Sequence, residues 1–266
     1  MQITLDSRKS LEKNAEMYFE RAKKAKKKAL GAHDAVLRLK VQLADLQAKQ
    51  DIAVAKVVER LQKKAIPPAH KEWFESFHWF VSSDGFLCVG GRDAVSNEVV
   101  IKKHTLANDI VFHTEAPGSP FFVIITNGKS VPDATLRETA DATAIFSRAW
   151  RMGISSVEVY WVKPEQVSKT AKSGEYISRG AFMIVGKRNY FTVSANRLAI
   201  GRTQDNKVMS GPVSAIKTHC KTAMLIKHGS QKTSSLAKFI AKKLELQDVN
   251  TVIAALPAGG CDVATE

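Results

Sequence analysis

The sequence predicts an α+β fold: a long N-terminal coiled-coil helix over residues 1–66, a mixed α/β domain over 67–202 and a small α/β segment over 203–266. Three observations carry that prediction. Residues 8–64 contain no proline and a single glycine. Pro67 and Pro68 then stop any helix, having no N–H to donate and a ring that clashes with the preceding turn. Beyond them, short β-branched and aromatic runs alternate with segments of helical period, bounded by Gly, Pro and Asp.

Small or apolar residues recur in the first segment at Leu11, Ala15, Tyr18, Ala22, Ala25, Ala29, Ala32, Val36, Leu39, Leu43 and Leu46. Their spacing alternates between four and three, which keeps one seam turned toward a partner helix. The seam passes through Gly31 without changing phase, so one continuous rod is expected, with a tight turn at LGAHD as the alternative. A helix of this length reaches about 80 Å at 1.5 Å per residue. A lone coiled-coil strand is marginal in water, so something should cover the seam. The segment also carries more than half of the chain's net charge of +14; its KKAKKK run at 23–28 is either a solvated face or a phosphate contact.

After IPPAH, where the prolines bias Ile66 to an extended conformation, FHWFVSSDGFLCVGG reads as a hairpin turning at Asp84-Gly85. Strands follow at Ile110–His113, Phe121–Thr126, Val157–Val162 and Ala181–Val185. PDATLRETADATAIFSRAWRMG, entered at Pro132-Asp133 and left at Gly153, reads as one packed helix. From about residue 207 the pattern is strand or loop, helix Val213–Cys220, strand Ala223–Lys227, then helices Ser234–Leu244 and Val249–Leu256. Trp73, Phe74, Phe77, Trp79 and Phe80 read as core or as a seal between helix and domain; stacking of bases is the alternative.

Forty Lys and Arg against 26 Asp and Glu favour a polyanionic partner, nucleic acid first and an anionic membrane second. No run approaches the roughly 18–20 apolar residues that cross a bilayer, and MQITLDSRKS lacks a signal-peptide core, so a soluble intracellular protein is expected, with no membrane partner. Cys88, Cys220 and Cys261 are odd in number and far apart, and the seven histidines have neither HxH nor HxxxH spacing. Neither disulfides, metal nor another cofactor is expected. CVGGRDAVSNE has neither GxGxxG nor GKT spacing, so a nucleotide loop is unsupported.

Three clusters are suited to phosphate. In QVSKTAKSGEYISRGAFMIVGKRNYF (166–191), Lys169, Lys172, Arg179, Lys187 and Arg188 supply charge, while Ser168, Thr170 and Ser173 supply hydroxyl donors beside Gly174. An ordinary solvated loop is the plain alternative. Lys102, Lys103 and His104 follow the apolar run VVI and either join the same surface or cap a strand. In DIVFHTEAPGSPFFVI, Pro117-Gly118 forces a tight turn expected to expose Ser119 and backbone N–H groups that can nest an anion, with His113 and Thr114 leading into it. His113, Glu115 and Ser119 also suggest nucleophilic catalysis, weakly, since no GxSxG elbow is present and Ser119 precedes a proline. A protein that is not an enzyme is expected.

WFESFHWFVSSDGFLCVGGRDAVSNEVVIKKH (73–104), DIVFHTEAPGS (109–119), the AW pair at 149–150 and YWVKPEQVSKTAKSGEYISRGAFMIVGKRNYF (160–191) closely resemble the RNA-binding NFACT-R domain of NFACT proteins, which are ribosome-associated quality-control factors. ITLDSRKSLEKNAEMYFERAKKAKK (3–27) resembles that family's second coiled-coil helix, and KTHCKTAMLIKHGSQKTSSLAKFIAKKL with ALPAGGCDV is similar to archaeal members. His113-Thr114-Glu115-Ala116-Pro117-Gly118 departs from the animal HxDxxG form toward the bacterial HTxxxPGS form. The resemblance implies a cytoplasmic RNA- and ribosome-binding component of ribosome quality control that binds stalled large subunits through rRNA or tRNA. The contacts would come from Lys102, Lys103, Lys169, Lys172, Lys187 and Arg188. It further implies that the first strand of the coiled coil belongs to an N-terminal half of the family, encoded separately, unless the rod pairs as a homodimer. An adaptor that docks a protein through its helix, without touching RNA, is the alternative.

Overall fold

A computed structural model describes residues 3–63, 71–170 and 177–264. Pro67, Pro68, Lys172, Ser173 and Gly174 lie outside the described residues. Two compact units result, Met1–His70 and Lys71–Glu266.

The first unit is α1 (Leu11–Lys63), one unbroken helix through Gly31. The turn at LGAHD does not form: one glycine costs a helix only about 1 kcal/mol, and its neighbours Ala29, Leu30 and Ala32 are good helix formers. The chain before the helix folds back on its first turns. Asn14 is almost fully buried there; its amide donates to the carbonyls of Asp6, Lys9 and Ser10, while its Oδ1 accepts from the Asp6 N–H at 2.9 Å. The Tyr18 hydroxyl donates to Thr4 O at 2.6 Å. Beyond Tyr18 the seam is bare among the described residues, with Val36, Leu39, Leu43 and Leu46 all exposed, as Leu11 is before it.

The second unit begins with a 3-10 turn, Trp73–Ser76. β1 (His78–Val81) and β2 (Leu87–Gly90) then form the expected hairpin, with Gly85 supplying the positive φ of +87° that its turn requires. Next comes α2 (Ala94–Lys103), a correction to the strand that VVI suggested. Its start is a reciprocal cap: the Asp93 carboxylate accepts from the Ser96 N–H at 2.7 Å, and Ser96 Oγ accepts from the Asp93 N–H at 2.8 Å. Those two bonds satisfy donors that a helix start otherwise leaves open, and they outweigh the weak β preference of Val99-Val100-Ile101.

β3 (Ile110–Thr114) and β4 (Phe122–Ile125) follow, and then α3 (Asp133–Ile145) and α4 (Arg148–Met152) where one helix was expected. The break falls at Ser147, whose Oγ donates to Ala144 O and accepts from the Ala149 N–H, capping a new helix. The Arg148 N–H turns to Gly118 O at 2.8 Å instead of continuing the ladder. β5 (Ser156–Val162), the short pair β6 (Val167–Ser168) and β7 (Met183–Ile184), and β8 (Asn189–Ser194) complete the central region. β7 is shorter than the strand expected over Ala181–Val185. The chain closes with β9 (Arg197–Thr203), β10 (Val208–Gly211), α5 (Val213–His219), β11 (Cys220–His228), α6 (Thr233–Lys243), α7 (Val249–Ala255) and β12 (Cys261–Val263).

The main sheet is antiparallel throughout, in the order β1-β2-β4-β3-β5-β8, and a second sheet runs β10-β9-β11-β12. One face of the main sheet buries Phe80, Phe112, Phe122, Ile124 and Val159 against Ala140 and Ala144 of α3, and against Met209 and Ile216 from the chain's last third. Small residues on α3 let the helix lie close to the large side chains of the sheet. The opposite face buries Val89, Val111, Val123 and Val162 beneath Val100 of α2, with Phe182 and Ile184 of the β6–β7 pair packed alongside. A third cluster joins Leu198, Ile200 and Ile226 of the second sheet to Leu236 and Ile240 of α6, with Trp150 of α4 among them.

Candidate nucleic-acid interface

The face of the main sheet that carries α2 and the β6–β7 pair also carries most of the basic residues singled out in the sequence. Lys169 leaves β6 and reaches the Glu98 carboxylate of α2 at 2.7 Å, while donating to Ser178 O at 3.0 Å and Ala181 O at 2.8 Å. Its ammonium sits 4.9 Å from the centre of the Phe182 ring. Lys102 meets the other oxygen of Glu98 at 3.3 Å, and the Gly180 N–H donates to the same carboxylate. These contacts, with Lys169 the largest, hold the Glu98 carboxyl down at about 2, so it is ionised at neutral pH. Lys169 thus ties the hairpin to the helix, and its three acceptors occupy all three donors of the ammonium. Lys102 and Lys169 line a cavity of about 320 Å³ floored by Val111 and Phe182.

Lys103 is exposed at the end of α2, where a cation also complements the helix dipole. His104 lies flat against Trp73, with ring centres 4.0 Å apart and planes within 8°. Burial, and then the charge of Lys103, lowers the affinity of His104 for a proton. Ser168 Oγ accepts from the Thr170 N–H at 3.0 Å, and Thr170 itself is exposed. Lys187 is exposed beyond β7, with its carbonyl receiving the Gln166 amide.

The turn after β3 differs from the open anion nest that Pro117-Gly118 suggested. Gly118 does take a positive φ of +93°, but a Cβ there would lie 3.3 Å from the Arg148 side chain. Ser119 is only 8% exposed, and its hydroxyl donates to Pro120 O at 3.0 Å. The hydroxyl that the sequence placed at the surface is thus buried, where the Arg148 N–H of α4 closes on Gly118 O at 2.8 Å. Thr114 is buried as well, donating to Ala116 O at 2.6 Å. His113 Nδ1 lies 2.6 Å from Thr114 O, and the ring packs 4.3 Å from Phe121. Burial lowers its proton affinity against smaller opposing contributions. Glu115, the acid of the sequence-based catalytic reading, is engaged elsewhere: Arg188 binds both of its oxygens at 2.8 Å. The guanidinium lies 4.7 Å from the centre of the Tyr160 ring, and the Tyr190 hydroxyl is 3.3 Å from Glu115.

The chosen residues therefore form two neighbouring ion-pair clusters, Lys102–Glu98–Lys169 and Glu115–Arg188, with Lys103, Thr170 and Lys187 exposed around them. Glu98, Tyr160 and Tyr190 were missed in the sequence. Glu98 stands four residues before Lys102, a helical pairing distance, and would have been found had α2 been read as a helix. Nothing local marks the two tyrosines. Among the described residues, no group of three or more His, Cys, Asp or Glu side chains is placed to hold a metal ion. No helix among them is long and apolar enough to cross a membrane.

Residues 76–186 match the sequence profile of the NFACT protein RNA binding domain. The chain is 39% identical over 209 residues to the archaeal Rqc2 homolog aRqcH of Methanocaldococcus jannaschii, a match covering 76% of this chain and 31% of that protein. It is 36% identical over 180 residues to the ribosome quality control complex subunit NEMF homolog of Drosophila melanogaster, covering 66% of this chain and 17% of that protein. Against the ribosome quality control complex subunit NEMF of Mus musculus it is 35% identical over 183 residues, covering 68% and 16%. The chain spans less than a third of the length of these relatives. The matched span runs from just before β1 to just past β7, and so takes in both members of the Lys169–Glu98 pair. The chain thus contains the RNA-binding domain of the NFACT family and is homologous over most of its length to the ribosome quality control subunits of the Rqc2 and NEMF type.

Proposed function

We propose that this chain is an RNA- and ribosome-binding component of ribosome-associated quality control, acting in the cytoplasm on stalled large subunits through rRNA or tRNA, and not itself an enzyme. The observation that carries the reading is the NFACT RNA binding domain at 76–186 within a chain of net charge +14. Relatives named for ribosome quality control support the setting. In this reading the exposed Lys103, Lys187 and Thr170, with Lys102, contact phosphates first. Lys169 and Arg188 hold the surface in shape through Glu98 and Glu115, and His104, His113, Thr114, Gly118 and Ser119 support the turns that present it. Lys172 belongs to the same loop.

The bare seam of α1 supports a second helix as partner. We take that helix to come from a separately encoded N-terminal half of the family, so that the chain is one half of a split factor, or from a second copy of this chain. The same seam favours the competing reading, an adaptor that docks a protein through α1 and leaves RNA untouched.

One measurement separates the two. Fluorescence anisotropy with a labelled RNA across a salt series should give an affinity that falls linearly on a log–log plot, because each neutralised phosphate releases a condensed counterion. Lys103→Glu and Lys187→Glu should each weaken binding to all RNA sequences alike and flatten the slope by about 1. A flat salt response in the wild-type protein would overturn the RNA reading and leave the adaptor.

A further inference from the structure

β3, β5 and β8 place one aromatic side chain each at the same level of one sheet face: His113 is the register partner of Tyr160, and Tyr160 of Tyr190. Among the described residues, this row is covered from one end only. Phe121, beside His113, carries Phe182 of the β6–β7 layer edge-on at 5.3 Å. Over Tyr160 the cover is the Arg188 guanidinium, held in place by Glu115. At Tyr190 the cover by described residues ends, and the residue is 53% exposed. Glu158, one step along β5 on the same face, is exposed too.

Tyr190 is not needed for the core. Its strand borders the sheet and pairs only with β5; the alternate residues Phe191 and Val193 turn to the other face and pack on the core beneath α3. An aromatic ring at such a position keeps about half of its surface in water. It offers a flat apolar face, braced edge-on by Tyr160 at 6.0 Å and flanked by a planar guanidinium. Aromatic rings on an open sheet face, next to arginine planes, are how single-stranded RNA is held, since each unpaired base can stack on a ring. The charge here points to the base and not to the phosphate. Glu115 already neutralises Arg188, so that pair offers phosphate no net attraction, and the exposed Glu158 repels it; carboxylate oxygens accept from exocyclic amino groups.

We infer that Tyr190 stacks an unpaired nucleobase of the bound RNA, with the Arg188–Glu115 pair contacting the edge of that base. The inference rests on the RNA-binding reading above and adds to it a preference for single-stranded over duplex RNA, whose base faces are already stacked. Phosphate contacts fall to the lysines of α2 and the hairpin.

The test uses the full chain with an unstructured oligoribonucleotide and with a duplex of equal length, titrated at two salt concentrations. Tyr190→Ala should lose about 5- to 150-fold in affinity for the single strand, the range expected for one stacked base. Its affinity for the duplex and its salt slope should stay unchanged. Tyr190→Phe should bind the single strand within about threefold of wild type, because the ring and not the hydroxyl carries the stacking. Thermal unfolding of Tyr190→Ala at the wild-type midpoint excludes misfolding as the cause. Wild-type single-strand affinity in Tyr190→Ala, or an equal loss on both RNAs, would overturn the inference and leave the RNA-binding reading standing. A wild-type protein that binds neither RNA would remove both.

Discussion

Gly180 is where the hairpin that carries Lys169 meets α2, and its substitution by alanine tests how that surface is held. Two costs apply. The residue has a φ of +79°, and an alanine there costs about 1–2 kcal/mol from Cβ crowding alone. In addition the new Cβ would fall 2.5 Å from the Cα and 2.6 Å from the Cβ of Ala94, backbone that is fixed by the Asp93–Ser96 cap. The chain escapes that collision only by lifting the hairpin off α2. The cost is therefore limited by the docking of Val167, Phe182 and Ile184, each more than half buried. At about 1–2 kcal/mol for burial of that extent per large apolar side chain, the limit is about 3–6 kcal/mol. Gly128 is the natural control: its φ is +78°, yet nothing lies within 4 Å of a Cβ built there. Both variants gain the same unfolded-state entropy term, which cancels in their comparison. Urea unfolding should place Gly180→Ala at least about 1 kcal/mol below Gly128→Ala, with loss of protection at Met183 and Val185 in amide exchange. Equal stabilities within about 0.5 kcal/mol would refute the reasoning, and with it the claim that the hairpin is seated by a close approach to Ala94.

Three further outcomes are expected. Trp150 is fully buried between α4 and the last third of the chain, with its indole N–H 3.3 Å from Gly260 O, so Trp150→Ala should cost about 3–5 kcal/mol. Met152→Ala, two residues on and exposed, should change urea stability by less than about 0.5 kcal/mol. Asp141 is held up to about 6 by burial and then by the charge of Glu138, with Arg137 opposing. The folded state thus binds this proton more tightly than the unfolded chain, so the stabilising contribution is complete below about pH 4 and is lost as pH rises to about 6. At most about 3 kcal/mol is involved, and Asp141→Asn should remove that part of the pH dependence of the urea midpoint; an unchanged profile would show that Asp141 is not its source.

Local pattern was most legible where the period was long or the turn chemistry strong. The four-three seam predicted α1 as one rod through Gly31, and Asp84-Gly85 predicted the first hairpin, because each signal concerns residues that are neighbours in sequence and in space. α2 does not read as a helix: Val99-Val100-Ile101 reads only as an apolar run able to end a strand, and the Asp93–Ser96 cap lacks the usual Glu or Gln. The division of α3 from α4 was hidden since Ser147 sits in an unbroken helical period and caps the second helix only because Arg148 turns aside to Gly118. The burial of Ser119 could not be read either, as a Gly-Ser-Pro turn looks exposed until the start of α4 closes on Gly118.

For the candidate site, the sequence by itself determined the chemistry available: a strongly basic chain, the loop bearing Lys169, Lys187 and Arg188, and stretches long enough to mark an RNA-binding domain. Tertiary structure alone decided how that charge is used. Lys169 and Arg188 look equivalent to Lys187 in a list of basic residues, but the first two are held by Glu98 and Glu115, whose positions more than 70 residues away no local pattern records. The physical reason is that an ion pair depends on separation in space and on desolvation, and both are set by which strands and helices share a face. For the same reason only the register of β3, β5 and β8 could bring His113, Tyr160 and Tyr190 into one row and leave the last of them open to a ligand.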